Sequence, residues 1–323
     1  MKLSTIYQSV QEGLDKVEEQ LRLLTLSQDD TFPELSEMLS YILTGGKVIR
    51  PTLTLLVGKF YNYSLSRLLP MATASELMHI ATLVHDDAID QASVRRGRPT
   101  VNQVWGTDKA VILGDYLFAK AGEFAAATGN LRAIKLFAQT LWTISRSELD
   151  QAFNAFNLKQ TFDQYLQRIT GKTASLFAMA TESGAVLSQA PEEIVQILKG
   201  YGHNLGIAFQ IVDDILDFIG TEEEMGKPIG SDLAHGTLTL PSFKLLQLYP
   251  EDNPVRRLFC NEDRQKNLKL AIELVRNSGV IEECYQVASD YSTRACQNLK
   301  LLPDGPSRQA LVALADYVVE RKK

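Results

Sequence analysis

The sequence of 323 residues predicts an all-α protein. Apolar residues recur every three to four positions along most of the chain, which is the period of an amphipathic helix and not of a strand. Most of the 11 prolines fall between these periodic segments, where helices begin or end. The sequence shows no run in which β-branched residues alternate with polar residues next to a hairpin turn, so no sheet is expected. We therefore predict one all-α domain spanning residues 1–323.

Several of the helical segments have a proline at their start. Pro33, Pro70 and Pro191 stand at or just before such segments, where a missing backbone N–H costs little. Two loops, 91–106 and 220–237, each follow an acidic helix and carry glycines with basic residues, so we expect them to cap a charged ligand. The predicted helices cover residues 34–43, 71–90, 108–127, 131–158, 173–187, 192–219 and 265–277.

Composition excludes several classes of function. The formal net charge of −6 argues against nucleic acid as the main partner. The three cysteines, Cys260, Cys284 and Cys296, have no CxxC spacing, which fits a reducing cytosol and offers no zinc site. The N-terminal residues turn acidic too early for a signal peptide. No uncharged apolar run approaches the ~20 residues needed to span a bilayer. We therefore expect a soluble, cytoplasmic protein.

Two copies of an acidic motif, HDDAID and VDDILD, are the most informative feature of the chain. Each places carboxylates at positions i, i+1 and i+4, within an arc of roughly 100° on a helix. Apolar neighbours surround both triplets, and unpaired carboxylates there are costly. Clustered oxygen ligands suit Mg²⁺ bridging to a phosphate, whereas a solvated acidic turn is the alternative for either copy alone. The metal-ligand candidates are Asp86, Asp87, Asp90, Asp213, Asp214 and Asp217.

Basic residues near the first triplet are candidates for holding the phosphate. Arg95 and Arg96 follow Asp90 by one short loop, and their guanidinium forks suit phosphate oxygens. Gly45–Gly46 either lets the backbone approach an anion or caps a helix. His79 lies within about 20° of the face of the first triplet, so it is placed to donate to the same ligand. The other polar candidates are Lys47, Arg50, Lys172, Gln210 and Lys227.

Seven motifs, in this order, resemble those of the head-to-tail trans-isoprenyl diphosphate synthases. They lie between Gly45 and Pro241 and read GGKVIRP, HDDAID, RRGRPTVN, GD at Gly114–Asp115, KT at Lys172–Thr173, FQIVDDILD and GKPIGSDL. The resemblance implies an all-α bundle around a deep central cavity, usually assembled as a homodimer. It also implies a Mg²⁺-dependent condensation of isopentenyl diphosphate with an allylic diphosphate.

The resemblance also implies roles for individual residues. Three Mg²⁺ ions would lie between the two acidic triplets and the allylic diphosphate, and Arg95, Lys172 and Lys227 would contact that diphosphate. Thr173 and Gln210 would face the developing allylic cation, with Phe209 beside them. The diphosphate of isopentenyl diphosphate would be held by Lys47, Arg50, His79 and Arg96. The implied catalytic group is Asp86, Asp87, Asp90, Lys172, Thr173, Gln210 and Asp213.

Some positions depart from the family pattern or keep a structural interpretation. Thr237 follows Gly236 where the family often has a lysine, and Leu176 stands where short-chain members often carry an aromatic residue. The basic residues from Arg321 to Lys323 match the closing C-terminal tail of some members only weakly. His85 and His203 are interpreted as core or supporting histidines.

Product length in this family depends on the helix that carries the first triplet. A bulky aromatic residue five positions before the first aspartate gives a short product, and here that position is Ala81, followed by Thr82. The deeper residues Ala74, Leu77 and Met78 are small or flexible. We therefore predict a product longer than twenty carbons, with a geranylgeranyl or farnesyl diphosphate synthase as the alternative.

Three other functions remain open from the sequence. A terpene cyclase of the same fold class would carry an (N/D)DxxSxxxE pattern, but Asp217 and Thr221 occupy its Ser and Glu positions. A non-catalytic helical subunit would carry degenerate triplets, and both triplets here are intact. The chain also fits the catalytic subunit of a heteromeric synthase.

Overall fold

The computed structural model describes residues 6–26, 32–95, 97–221 and 228–321. The described residues are helical nearly throughout, which confirms the predicted fold class. A short 3₁₀ turn, Gln8–Val10, precedes the first helix. The helices that follow are α1 (Gln11–Leu26), α2 (Pro33–Ile42), α3 (Ile49–Gly58), α4 (Leu65–Ile89), α5 (Val101–Trp105), α6 (Thr107–Ala127), α7 (Leu131–Phe153), α8 (Phe162–Ile169), α9 (Ser175–Leu187), α10 (Glu192–Ile219), α11 (Ser231–Ala234), α12 (Leu240–Leu248), α13 (Pro254–Phe259), α14 (Arg264–Asn277), α15 (Val280–Cys296) and α16 (Pro306–Glu320).

Helix α9 is the centre of the packing. Nearly all of its side chains are buried, and α3, α7 and α10 pack around it. Two glycines allow the closest approaches. A Cβ added to Gly184 of α9 would lie 2.6 Å from the backbone oxygen of Thr54, and one added to Gly202 of α10 would lie 2.6 Å from that of Phe177. Larger residues at these positions would force the helices apart.

A π-helical turn, Thr170–Ala174, joins α8 to α9 at the boundary between two hydrophobic clusters. The main cluster includes Leu176 and Phe177, and the second includes Ile169 and Ala174. A π turn adds one residue to a helical turn and is frequent at functional sites. Gly171 in this turn brings α7 close, because its added Cβ would lie 1.8 Å from the Ser147 hydroxyl oxygen.

Two helix boundaries and one short β ladder differ from the sequence predictions. Pro70 does not begin a helix, because α4 starts at Leu65 and continues through it. Leu68 is buried and fills the space over Gly58. Its burial stabilises the early start of the helix by more than is lost through the hydrogen bond that Pro70 cannot donate. The helix predicted for 131–158 ends at Phe153, ahead of Phe156, whose φ of 58° is left-handed. The loop after α4 contains a two-residue antiparallel ladder, Val94–Arg95 with Arg98–Pro99.

Among the helices of the described ranges, none combines the length and the apolar character needed to cross a membrane.

Replacement of Gly184 by alanine tests the close packing at the centre of the fold. We expect Gly184→Ala to lower the free energy of unfolding by about 1–3 kcal/mol, because its Cβ would overlap the Thr54 backbone. Gly200→Ala on α10 is the matched control, since its Cβ would meet nothing within 4 Å. Relief of helical glycine should raise the stability of the control by about 0.5–1 kcal/mol. Urea unfolding measures both, and equal stabilities of the two variants would contradict the packing argument.

Candidate active site

The first acidic motif lies at the C-terminal end of α4, and its aspartates have different partners. Asp87 is buried, and both of its carboxylate oxygens accept from Nε of Arg95, at 2.8 and 2.9 Å. Burial raises the pKa of Asp87, and the guanidinium of Arg95 opposes that rise. Asp86 is instead 3.5 Å from Nζ of Lys172, and Asp90 is exposed at the end of the helix.

Lys172 comes from the π turn and connects the first motif to α7. Its ammonium lies 2.8 Å from Glu148 as well as near Asp86. Burial alone would lower the pKa of Lys172, but these two carboxylates together hold it above its usual value. No sequence motif indicates Glu148, because an isolated acidic residue in a polar helical stretch resembles any solvent-exposed one. The close approach at Gly171 brings the α7 turn that carries Glu148 to the π turn.

The second acidic motif lies near the end of α10 and also divides into different environments. Asp214 is buried and accepts from the Tyr165 hydroxyl at 2.7 Å and from Nε2 of Gln210 at 2.8 Å. Burial raises its pKa to about 7. Asp217 is also buried and accepts from the backbone N–H of Asp232 at 3.2 Å. Asp213 is the most open of the three, with 38% of its side chain exposed.

Arg321, just after α16, reaches the second motif from the C-terminal end of the described chain. Its Nη2 atom donates to Asp213 at 2.5 Å and to the backbone oxygen of Phe209 at 2.7 Å. The guanidinium also lies 3.7 Å from the centre of the Phe209 ring. The C-terminal basic residues match the family pattern only weakly, because one arginine after an amphipathic helix does not indicate where its side chain goes.

The short helix α11 lies close to the second acidic motif, since its Asp232 backbone N–H donates to Asp217. Asp232 in α11 is near enough for its charge to act on both Asp90 and Asp214. In the described part of the chain, however, histidine, cysteine and carboxylate side chains do not converge in groups of three around one point. Instead, cationic side chains of the protein pair with individual aspartates. Lys172 lies beside Asp86, Arg95 pairs with Asp87 and Arg321 pairs with Asp213. A divalent cation that displaces Lys172 or Arg321 would find hard oxygen ligands there.

A cavity of about 250 Å³ lies beside the first motif and collects most of the predicted anion-binding side chains. Gly45, with φ of 81°, and Gly46, with φ of 129°, form its rim in backbone conformations that favour glycine. The buried Glu76 also lines the cavity, and the sequence analysis did not select it. Its predicted cationic or donor residues are Lys47, Arg50, His79 and Arg95.

Thr173 and Gln210, for which the resemblance implied a place beside the allylic cation, contact each other in the structure. The Thr173 hydroxyl donates to Oε1 of Gln210 at 2.6 Å, and Gln210 directly follows Phe209 on α10. Phe209 packs on Phe177, with ring centres 5.1 Å apart. Arg96 and Lys227, the remaining predicted phosphate contacts, lie outside the described residues.

The residues predicted to set product length lie along α4, but they do not line the 250 Å³ cavity. That cavity follows the adjacent face of the helix, at His79, Ile80 and Leu83. Thr82 is half-buried and donates to the His79 backbone oxygen at 2.7 Å. The other four positions are fully buried in the main hydrophobic cluster: Ala74, Leu77, Met78 and Ala81. These four side chains pack together along the face of α4 where the resemblance implied that the growing chain runs.

Histidines 85 and 203 have supporting positions. His85 packs directly against Gly114, and its Nε2 lies 2.9 Å from the Val111 backbone oxygen and 3.6 Å from Asp115. Burial lowers the pKa of His203, which lies on α10 away from both motifs.

Comparison with known proteins places this geometry in context. The family model described as polyprenyl synthetase matches residues 32–275. Heptaprenyl diphosphate synthase component 2 of Bacillus subtilis (strain 168) is 37% identical over 327 residues, covering 100% of this chain and 92% of the relative. The crystal structure of a decaprenyl diphosphate synthase from Rhodobacter capsulatus is 38% identical, with a TM-score of 0.90 and 100% coverage of both chains. A polyprenyl synthase from Caulobacter crescentus CB15, complexed with calcium and isoprenyl diphosphate, is 31% identical, with a TM-score of 0.92 and coverage of 100% and 98%.

Proposed function

The chain belongs to the polyprenyl synthetase family, and we propose that it is a prenyltransferase that joins isopentenyl diphosphate head-to-tail to an allylic diphosphate. The observation that carries this proposal is the cavity where Lys47, Arg50, His79 and Arg95 surround one space beside Asp87. A second anion-binding region next to an acidic motif is what a two-diphosphate reaction requires. The products of the heptaprenyl and decaprenyl relatives support a product longer than twenty carbons.

The acidic motifs are proposed to hold Mg²⁺ through only some of their aspartates. Asp86, Asp90 and Asp213 are the accessible ones, and each can exchange a protein cation or water for a metal. Asp87, Asp214 and Asp217 are buried and accept hydrogen bonds from protein donors, so they position the others. The calcium bound in the Caulobacter structure supports a divalent-cation site. Bound Mg²⁺ would neutralise charge on the departing diphosphate.

The side chains of the protein account for the rest of the reaction. The carbon–oxygen bond of the allylic substrate breaks and its electron pair leaves with the diphosphate, next to the ammonium of Lys172. The Thr173 and Gln210 oxygens face the carbocation, and the buried apolar wall of α4 and α9 excludes water. The double bond of isopentenyl diphosphate, held in the cationic cavity, then attacks the carbocation and forms the new carbon–carbon bond. The departing diphosphate takes a proton from the resulting cation, which restores a double bond.

The test of this function is turnover by the purified chain alone. The chain is incubated with Mg²⁺, labelled isopentenyl diphosphate and each short allylic diphosphate, and the products are sized. All-trans products longer than twenty carbons are expected. Formation of a cyclic hydrocarbon would contradict the proposal. So would a failure to consume isopentenyl diphosphate under all of these conditions, with or without an added second protein.

Replacement of Ala81 tests the proposed position of the chain-length limit. Ala81 is fully buried on α4, one turn before the first motif. We expect Ala81→Phe to shorten the product, because the ring would occupy the path of the growing chain. Ala81→Ser, which adds only one oxygen atom, is the control and should leave product length nearly unchanged. The same products from a folded Ala81→Phe variant would exclude this path.

Replacement of Arg321 tests competition between the protein's own cation and the metal. Because Arg321 holds an Asp213 oxygen at 2.5 Å, we expect Arg321→Met to lower the half-saturating Mg²⁺ concentration about fivefold, equivalent to ~1 kcal/mol. Calorimetric titration of Mg²⁺ in the presence of inorganic diphosphate measures this without turnover. Arg308→Met is the control, since Arg308 of the same helix pairs with Asp304, two residues before the helix begins, at 2.7 Å. Weaker Mg²⁺ binding by Arg321→Met would show that the arginine supports the metal and does not compete with it.

Association with a second chain is proposed to occur through α7. Its exposed apolar residues lie within about 40° of one another on the helix, and Phe153, at 87% exposure, is the most prominent. A stripe of this kind favours burial against another subunit. We propose a homodimer, while the component status in the name of the Bacillus relative supports a different partner chain as the alternative. The stripe consists of Leu131, Trp142, Leu149 and Phe153.

A charge placed in this stripe should dissociate the dimer. We expect the unmodified chain to sediment as a dimer and Phe153→Glu to shift it to the monomer, because the glutamate would have to be desolvated. Leu248→Glu on α12 is the matched control, with 53% exposure and a position outside the stripe. A monomeric chain that turns over only with a second protein would favour the heteromeric assembly.

A further inference from the structure

Tyr165 lies behind the second acidic motif, where it is fully buried. Its ring packs between Phe162 and Phe243, with centres 5.8 and 5.9 Å away. The guanidinium of Arg168 lies 5.6 Å from the ring and is itself bonded to Gln160 at 2.9 Å. The ring therefore has little freedom to move, and its hydroxyl has a fixed direction.

The Tyr165 hydroxyl begins a chain of three hydrogen bonds that ends at the reaction site. It donates to Oδ2 of Asp214 at 2.7 Å, and Oδ1 of Asp214 accepts from Nε2 of Gln210 at 2.8 Å. Oε1 of Gln210 then accepts from the Thr173 hydroxyl at 2.6 Å. Asp214 and Gln210, in the middle of this chain, each use one side-chain atom for one neighbour and a second atom for the other.

The order of donors and acceptors fixes how Gln210 is oriented. In its ionised form the Asp214 carboxylate only accepts, so the Gln210 amide turns its NH₂ group to Asp214 and its oxygen to Thr173. The Asp214 carboxylate could rotate about its own bond if only Gln210 held it. The hydrogen bond from Tyr165 to the second carboxylate oxygen prevents that rotation. The fixed Tyr165 ring therefore determines the orientation of the Asp214 carboxylate, which in turn determines that of the Gln210 amide.

We propose that Tyr165 is a positioning residue for the condensation reaction. Its hydroxyl holds the plane of the Asp214 carboxylate, which holds the Gln210 amide so that the Gln210 and Thr173 oxygens face the developing allylic cation. This inference rests on the proposed prenyltransferase function. Tyr165 touches neither substrate, so its effect is on the rate of the chemical step and not on substrate binding.

Tyr201 provides the matched comparison for Tyr165. It is buried to the same extent, and its hydroxyl donates to the Leu311 backbone oxygen at 2.7 Å. That bond joins α10 to α16 and leads to no side chain of the site. Tyr165→Phe and Tyr201→Phe each remove one hydroxyl from a buried ring, so both are expected to lower the melting temperature by similar amounts.

The first measurement separates kcat from KM. We expect Tyr165→Phe to lower kcat about tenfold, with the KM values of both substrates within twofold of the unmodified chain. Tyr201→Phe should keep kcat within twofold. Equal kcat values for Tyr165→Phe and Tyr201→Phe would overturn the positioning role. Loss of activity in the unmodified chain would instead contradict the proposed function, so the two failures are distinct.

A double-mutant cycle distinguishes positioning of Gln210 from a merely structural role of Tyr165, because only positioning makes the effects of the two substitutions on kcat depend on each other. In a Gln210→Ala background there is no amide left to orient, so adding Tyr165→Phe should lower kcat by less than twofold. A further tenfold loss in that background would show that Tyr165 acts by another route and overturn the proposal. A crystal structure of Tyr165→Phe supplies a test without turnover: the 2.6 Å contact between Thr173 and Gln210 should be lost, and its persistence would count against the proposal.

Discussion

The need to neutralise carboxylates inside apolar helix governs the arrangement of this protein. Two triplets of aspartate lie at the ends of two long, mostly buried helices, and like charges so placed repel each other. The structure meets this by giving the buried members a protein donor and leaving the others near a cation. The loop that carries Arg95, the π turn that carries Lys172 and the C-terminal Arg321 all approach the same region for this reason.

The two acidic motifs have the same spacing but different surroundings. The first faces cations from loops and from the π turn, and it borders the cavity lined by Lys47, Arg50 and His79. In the second motif, Asp214 accepts a hydrogen bond from the Tyr165 hydroxyl and Asp217 accepts one from the backbone N–H of Asp232. Identical spacing along a helix therefore led to two kinds of site, because the elements that pack on each helix differ. The first motif borders the cavity, whereas the second is hydrogen-bonded to buried residues of the core.

Much of the fold followed from local pattern. Helix α10 begins at Glu192 and ends at Ile219, the bounds that its apolar period and Pro191 predict. Pro70 misled the assignment, because burial of Leu68 outweighs one missing hydrogen bond and only tertiary packing reveals this. In the site, residues within motifs could be selected from spacing. Glu148 and Tyr165 could not, since neither belongs to a motif and only the packing of their helices brings them to the aspartates. Arg321 was indicated only weakly, as one of the basic C-terminal residues.

The π turn at Thr170–Ala174 sets the phase between the two helices that it joins. An extra residue in one turn rotates everything after it by about 100° relative to a regular helix. The buried face of α9 and the aromatic face of α8 are thus in register only because of that residue. The length of this segment is consequently under a stricter constraint than its composition. A side chain exchanged there alters one contact, whereas a residue gained or lost would turn the whole of the central helix relative to its neighbours.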